Sequence, residues 1–197
     1  MEDWRKLRRV LQFMYQTIHQ KHVIGAKSLH EIFTWIDAAY AVHEDMRSHT
    51  GCAMSFGYGI VHYLSTKQKL NTKSSTEAEV VGMSDYLPFN IWSRMFLEEQ
   101  GYFLTKNVVY QDNQSAIKME TNGRNSCTGN SRHVHIRFFF TKDRLDKEEF
   151  SIEYFLTEQM LGDFYKKPLQ GKPFKQFRRI IMGWDHINIL KSFSPCI

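Results

Sequence analysis

Long apolar runs are missing from this chain: none approaches the roughly 20 residues that a membrane-spanning helix requires, which excludes a helical span. The opening residues, Met1-Glu2-Asp3-Trp4-Arg5, lack the charged-then-apolar layout of a secretion signal, so a reducing, intracellular setting is expected. Cysteine is scarce. Cys52, Cys127 and Cys196 are odd in number and show no CxxC spacing, and they are read as free thiols. Cys127 with His133 and His135 fits the spacing of no common structural zinc site. Internal repeats and low-complexity segments are also absent.

What is present is an ordinary globular composition. With 42% hydrophobic and 24% charged residues, 197 residues suffice for a full core and argue against extended disorder. The length favours one domain with an extension over two complete domains, and therefore one active site. The formal charge is +5, and basic residues collect near the two ends, from Arg5 to Lys27 and from Lys166 to Arg179. Such clusters can track a phosphate backbone without reading its sequence, although solvated helix faces account for each of them equally well.

Periodicity orders the chain. Asp3 is placed to cap a helix whose apolar positions Trp4, Leu7, Leu11, Met14 and Ile18 form one stripe that needs a partner surface. Three extended runs follow, Glu31 to Ala39, Gly51 to Phe56 and Gly59 to Ser65, and predict an antiparallel meander. A long helix is expected from Ser75 to about Gln100, with Ala78, Val81, Leu87, Ile91, Met95 and Leu97 buried and Pro88 kinking or dividing it. A buried strand at Asn107 to Tyr110 leads to a helix that starts at Asp112-Asn113 and ends near Gly123, and a loop runs on to Gly129. Arg132 to Lys147 reads as helix with Phe138, Phe139 and Phe140 in the core, and Ser151 to Phe155 as the last strand. Short helices around Met160 to Lys166 and Pro173 to Met182 close the pattern. This order predicts an α/β fold with a five-stranded mixed sheet and helices on both faces.

Four carboxylates stand where metal chemistry would use them. Asp37 ends the apolar run Ile32-Phe33-Thr34-Trp35-Ile36, at the strand edge where α/β folds place ligands, although a turn residue would look the same. Glu77 opens the long helix, but Ser74 and Glu77 also have capping-box spacing. Asp112 follows Val108-Val109-Tyr110 and precedes a helix, which equally suits an N-cap. Asp163 sits between Gly162 and Phe164 in a late helix, where an exposed acid is ordinary. Together, these four can converge on one patch of the sheet, where their mutual repulsion calls for bound cations. Hard oxygen ligands favour Mg²⁺ or Mn²⁺ over zinc, and two such ions about 4 Å apart can support in-line hydrolysis of a phosphodiester.

At these residues the chain resembles the ribonuclease H (RNase H) domain of copia-type (Ty1-like) retrotransposon Pol polyproteins, from roughly Leu29 to Gly183. The blocks are Asp37-Ala38 with Arg47-Ser48-His49-Thr50-Gly51, Ser65-Thr66-Lys67-Gln68 with Ser74-Ser75-Thr76-Glu77-Ala78-Glu79, and Asp112-Asn113-Gln114-Ser115-Ala116. Arg132-His133-Val134 and Gly162-Asp163 with Lys167-Pro168-Leu169 complete the set. The resemblance implies an RNase H-like fold, catalytic and metal-holding roles for Asp37, Glu77, Asp112 and Asp163, two Mg²⁺ ions for which Mn²⁺ substitutes, and cleavage of the RNA strand of RNA/DNA hybrids. Between Glu77 and Glu79, the Thr-Glu pair opening the helix selects Glu77.

By the same resemblance, residues 1–28 are a connection that follows the reverse transcriptase, 29–183 the RNase H domain and 184–197 a tail. The polymerase's own Asp-Asp motif is absent, so the chain is expected to be a fragment, a truncated reading frame or an excised domain whose partners are the hybrid and that polymerase. Its setting would be the cytoplasm, virus-like particles or the nucleus. Ser74, Ser75, Thr76, Asn113 and Gln114, with Arg132 and His133, are candidate nucleic-acid contacts, the first five facing the minor groove with its 2′-hydroxyls. Capping and turn bonds explain those five as well, and His133 is also read as a packing or hydrogen-bonding residue at a helix start.

Two departures from the resemblance stand out. Gly162 replaces the usual Ala, at a cost of about 1 kcal/mol in helix propensity, and Lys166 stands where Thr is usual. Alternatives to a hybrid-cutting enzyme are a non-catalytic nucleic-acid-binding module and another polynucleotidyl transferase of integrase or resolvase type. Glu77 disfavours an integrase, whose acidic triad lacks a carboxylate on the first long helix.

Overall fold

The computed structural model describes residues 2–122 and 132–191. Cys127, Cys196 and the loop expected around Gly129 lie outside the described residues, as do the side chains of Arg132, His133, His135 and Phe138. The elements run α1 (Glu2–Thr17), β1 (Gly25–Ala26), β2 (Glu31–Ala39), β3 (His49–Ser55), β4 (Gly57–Tyr58), β5 (His62–Lys67) and α2 (Ser75–Glu99). After these come β6 (Lys106–Gln111), α3 (Gln114–Asn122), α4 (Arg132–Asp146), β7 (Ser151–Tyr154), a 3₁₀ turn (Leu161–Tyr165), α5 (Gly171–Ile181) and α6 (Asn188–Lys191).

The main sheet has the order β5-β3-β2-β6-β7. β2, β3 and β5 form an antiparallel meander, and β6 and β7 add in parallel on the other side of β2. β2 is the centre, and its sequence shows why: seven consecutive residues, Ile32 to Ala38, are buried, the signature of a strand covered on both faces. Its two sets of alternate residues feed two cores. Ile32 and Ile36 pack with Met83, Tyr86 and Leu87 of α2, while Phe33 and Trp35 pack with Leu161, Phe177 and Ile180 from the C-terminal segment. Asn90 of α2 pins helix to sheet by donating to Thr34 Oγ1 (2.9 Å) and exchanging amide bonds with Asn107 of β6.

Several sequence expectations are corrected. The third strand begins at His62 rather than Gly59, because Gly57–Tyr58 turns aside to pair with Gly25–Ala26. α2 runs unbroken through Pro88. Pro88 lies on the exposed outer face, while Leu87 and Ile91 hold the inner face. Met95 is exposed. α1 buries none of its residues, so the stripe of Trp4, Leu7, Leu11, Met14 and Ile18 stays in solvent, and Asp3 lies inside the helix instead of capping it. The segment after Gly183 belongs to the packed body, since Ile187 and Leu190 are buried in the same core as Trp35. The late helix expected around Asp163 is a 3₁₀ turn.

Two buried acids lie outside the expected set among the described residues, Glu79 and Glu120. Glu120 on α3 is fully buried, and neither carboxylate oxygen has a well-formed hydrogen bond. Burial pushes its pKa well above 4.5, an effect only partly offset by Gln111. The folded protein therefore keeps a proton that the unfolded chain has released, and the associated stability, full below about pH 4.5, declines as pH rises towards the folded pKa. Glu120→Gln, which stays neutral, should be more stable than the wild type at pH 8. Urea unfolding across this range should show the gap closing by pH 4; a gap independent of pH would contradict the assignment.

Candidate metal centre

The site forms where the parallel strands end. Trp35 of β2 is level with Tyr110 of β6, and continuing that register two residues puts Asp37 beside Asp112, just past the end of β6. The capping alternative for Asp112 fails because its neighbour caps α3: Asn113 Oδ1 accepts from the backbone N–H of Ser115 (3.0 Å) and Ala116 (3.1 Å). Asp112 is thus free to face the strand edge.

α2 supplies the third carboxylate, and it is Glu79. Ser74 caps the helix by accepting from the Glu77 N–H (3.1 Å), and the Glu77 carboxylate reaches back to accept from the Lys73 N–H (2.7 Å). The Glu77 carboxylate is therefore engaged at the helix start, on its half-exposed edge, and the carboxylate of α2 that comes together with Asp37 and Asp112 is that of Glu79 and not the chosen Glu77. Two residues on, a helix has turned by about 200°, so Glu79 points to the opposite side, into the protein. It is 4% exposed, and its Oε1 accepts from the Ala38 N–H (3.1 Å), directly beside Asp37. Gly82, one turn later, lets the helix approach this closely, since a Cβ there would lie 3.1 Å from Thr50 Cγ2. The sequence carried this signal: Glu79 shares its face with Gly82, Met83 and Tyr86, all buried, at helical spacing.

Asp163 arrives from the C-terminal side on the 3₁₀ turn. That turn lies against the sheet because Gly51, opposite Asp37 in β3, and Gly162 meet without side chains; a Cβ on Gly162 would stand 2.8 Å from Gly51 O and 2.9 Å from Asp37 Cβ. Gly162 is thus a close-packing residue, and the helix-propensity cost expected of it does not apply to a 3₁₀ turn. Ser65 Oγ anchors the turn to β5 by donating to the Tyr165 carbonyl (2.6 Å).

Asp37, Glu79 and Asp112 each offer an oxygen, and these atoms all lie within 4.8 Å of one another. Asp37 Oδ2 and Glu79 Oε2 are buried with no hydrogen-bond partner among the described residues. Burial pushes the Asp37 carboxyl up to about 7, helped by a hydrogen bond with Asp163 and opposed by Lys166. For Asp163, burial is outweighed by the bonds from Asp37 and Lys167, leaving its pKa below the usual value. Burial, reinforced by Asp37, holds Glu79 well above the usual range. Lys166 completes the cluster: its ammonium, 5% exposed, is paired with Asp37, lies 3.3 Å from Asp163 Oδ1 and donates to the Ala38 carbonyl (3.2 Å).

Of the proposed nucleic-acid contacts, Ser74 and Asn113 are engaged as caps, Thr76 is half-exposed, and Ser75 and Gln114 are exposed at the helix starts beside the cluster.

No family model matches the chain. It is 24% identical over 181 residues to the Pol polyprotein of transposon TNT 1-94 from Nicotiana tabacum, which covers 91% of this chain and 13% of the polyprotein. The Ty1-DR5 Gag-Pol polyprotein of Saccharomyces cerevisiae is 26% identical over 188 residues, covering 90% of this chain. Its homologues are transposon Pol polyproteins. The chain spans 13% and 10% of the length of these two Pol relatives. Among solved structures, the RNase H1 of Halobacterium salinarum NRC-1 covers 64% of this chain and 86% of its own, with a TM-score of 0.39 and 16% identity. The five-stranded mixed sheet, with helices on both faces, is the α/β architecture that the sequence pattern predicted.

Proposed function

We propose that this segment is the RNase H domain of a copia/Ty1-type Pol polyprotein and hydrolyses the RNA strand of RNA/DNA hybrids with Mg²⁺, or Mn²⁺ in its place. The observation that carries the reading is the convergence of Asp37, Glu79 and Asp112 within 4.8 Å at the ends of two parallel strands, with two buried oxygens left unpartnered. An all-oxygen, all-carboxylate set fits a hard divalent cation and no softer metal. Such an ion, when bound, would supply Lewis-acid stabilisation of charge on the phosphodiester.

The chain's own residues do the rest. Asp37, Glu79 and Asp112 hold the cation, and Asp163 flanks Asp37 from the C-terminal turn. Ser75 and Gln114, both exposed, would meet the minor groove of the hybrid. α1, with its uncovered apolar stripe, is read as the connection to a preceding reverse transcriptase domain in an intracellular polyprotein.

The test is cleavage of a hybrid with its RNA strand labelled, beside duplex DNA, in Mg²⁺, Mn²⁺ or chelator. The RNA strand alone should be cut, and chelator should abolish cutting. Cleavage of duplex DNA would point to another polynucleotidyl transferase. A second reading, a hybrid-binding module without turnover, is favoured by the Lys166 ammonium among the acids, and it predicts hybrid retention with no response to metal.

A further inference from the structure

We propose that Lys166 takes the place of one of two cations, so that the acidic cluster holds a single divalent ion and admits a second only when this ammonium is removed. The inference rests on the cluster being a cation site, as proposed above, and adds what this particular chain does to it.

The geometry divides the cluster in two. On one side, Asp37, Glu79 and Asp112 offer oxygens within 4.8 Å of one another, and Asp37 Oδ2 and Glu79 Oε2 have no hydrogen-bond partner among the described residues. On the other, between Asp37 and Asp163, the position is filled by Lys166 Nζ. An ammonium has three N–H donors, and here three acceptors surround it: Asp37 Oδ1, Asp163 Oδ1 at 3.3 Å and the Ala38 carbonyl at 3.2 Å. Lys167 Nζ, at 2.7 Å from the same Asp163 oxygen, adds a second positive charge on that side. A divalent ion binding between Asp37 and Asp163 would share both carboxylates with a unit positive charge at contact distance, where like-charge repulsion is steepest.

The ammonium cannot readily drift away. Its backbone nitrogen lies over Gly51, 3.2 Å from where a Cβ on that glycine would stand, so the side chain enters the cluster from a turn packed onto the sheet. Only 5% of the Lys166 side chain is exposed. This gives a role to the lysine found where the resemblance has threonine.

The test counts ions. Mn²⁺ binding to the intact 197-residue chain, followed by the free-ion electron paramagnetic resonance signal, should reach one ion per chain for the wild type and two for Lys166→Met. The methionine keeps the bulk of the stem without the charge, and Lys166→Thr is the smaller alternative if Lys166→Met fails to fold by circular dichroism. Two tight sites in the wild type, or one in both folded lysine variants, would overturn the proposal. Glu79→Gln separates this failure from failure of the cluster itself. Binding that is lost in Glu79→Gln but identical in wild type and Lys166→Met refutes only the role of Lys166, whereas binding indifferent to Glu79→Gln, or absent throughout, refutes the cation site and the role of Lys166 with it.

Discussion

Replacing Glu79 with glutamine should lower hybrid cleavage by about a hundredfold to a thousandfold or more, the scale on which losing one preorganised electrostatic contact slows an enzyme, while Glu77→Gln should remain within a few-fold of wild type. The two residues are neighbours in sequence and opposites in place. Glu77 spends its carboxylate on the Lys73 N–H at the helix start, a bond that the side-chain carbonyl of glutamine can still accept. Glu79 is buried with one oxygen on the Ala38 N–H and the other unpartnered towards Asp37. Glutamine there keeps the bond to Ala38 but removes a formal charge from the cation site. Single-turnover cleavage of a labelled hybrid by both variants measures the contrast. Equal losses, or a larger loss in Glu77→Gln, would mean that the helix presents its other face.

Gly51→Ala should destabilise the fold by about 1–3 kcal/mol, the range for overpacking a close contact, and should disarm the site as well. The added methyl would run into the Gly162 carbonyl oxygen and approach the backbone of Tyr165 and Lys166 at 3.2 Å. These are backbone atoms, which cannot rotate aside as a side-chain terminus can. The 3₁₀ turn must therefore lift, carrying Asp163 and Lys166 away from Asp37. Urea denaturation gives the stability change, and a variant within about 0.5 kcal/mol of wild type would show that the turn is free to yield.

Much of this architecture was legible because period and burial agree. The continuous apolar run around Trp35 announced a strand covered on both faces, and its predicted bounds, Glu31 to Ala39, are those observed. Asp37 and Asp112 stand out from their positions at element ends and Asp163 only through the family resemblance, and the fold brings all three together. Glu79 was missed because the Thr76-Glu77 pair at the helix opening, a local feature, was weighed above helical phase, which places Glu79 with Gly82 and Met83. The role of Gly162 was invisible for a different reason. Its meaning lies in contact with Gly51, more than 100 residues away in sequence, and no local propensity reports a contact between two backbones. The unbroken path of α2 through Pro88 was equally non-local, since the buried residues on either side hold the helix that Pro88 alone would interrupt.

Three acids, from β2, α2 and the end of β6, should hold one divalent ion. Anomalous diffraction from crystals grown in Mn²⁺ tests it most directly. The predicted result is a peak in the first coordination sphere of Asp37, Glu79 and Asp112, with none at Glu77. A manganese ion bound elsewhere, with this cluster empty at saturating Mn²⁺, would contradict it.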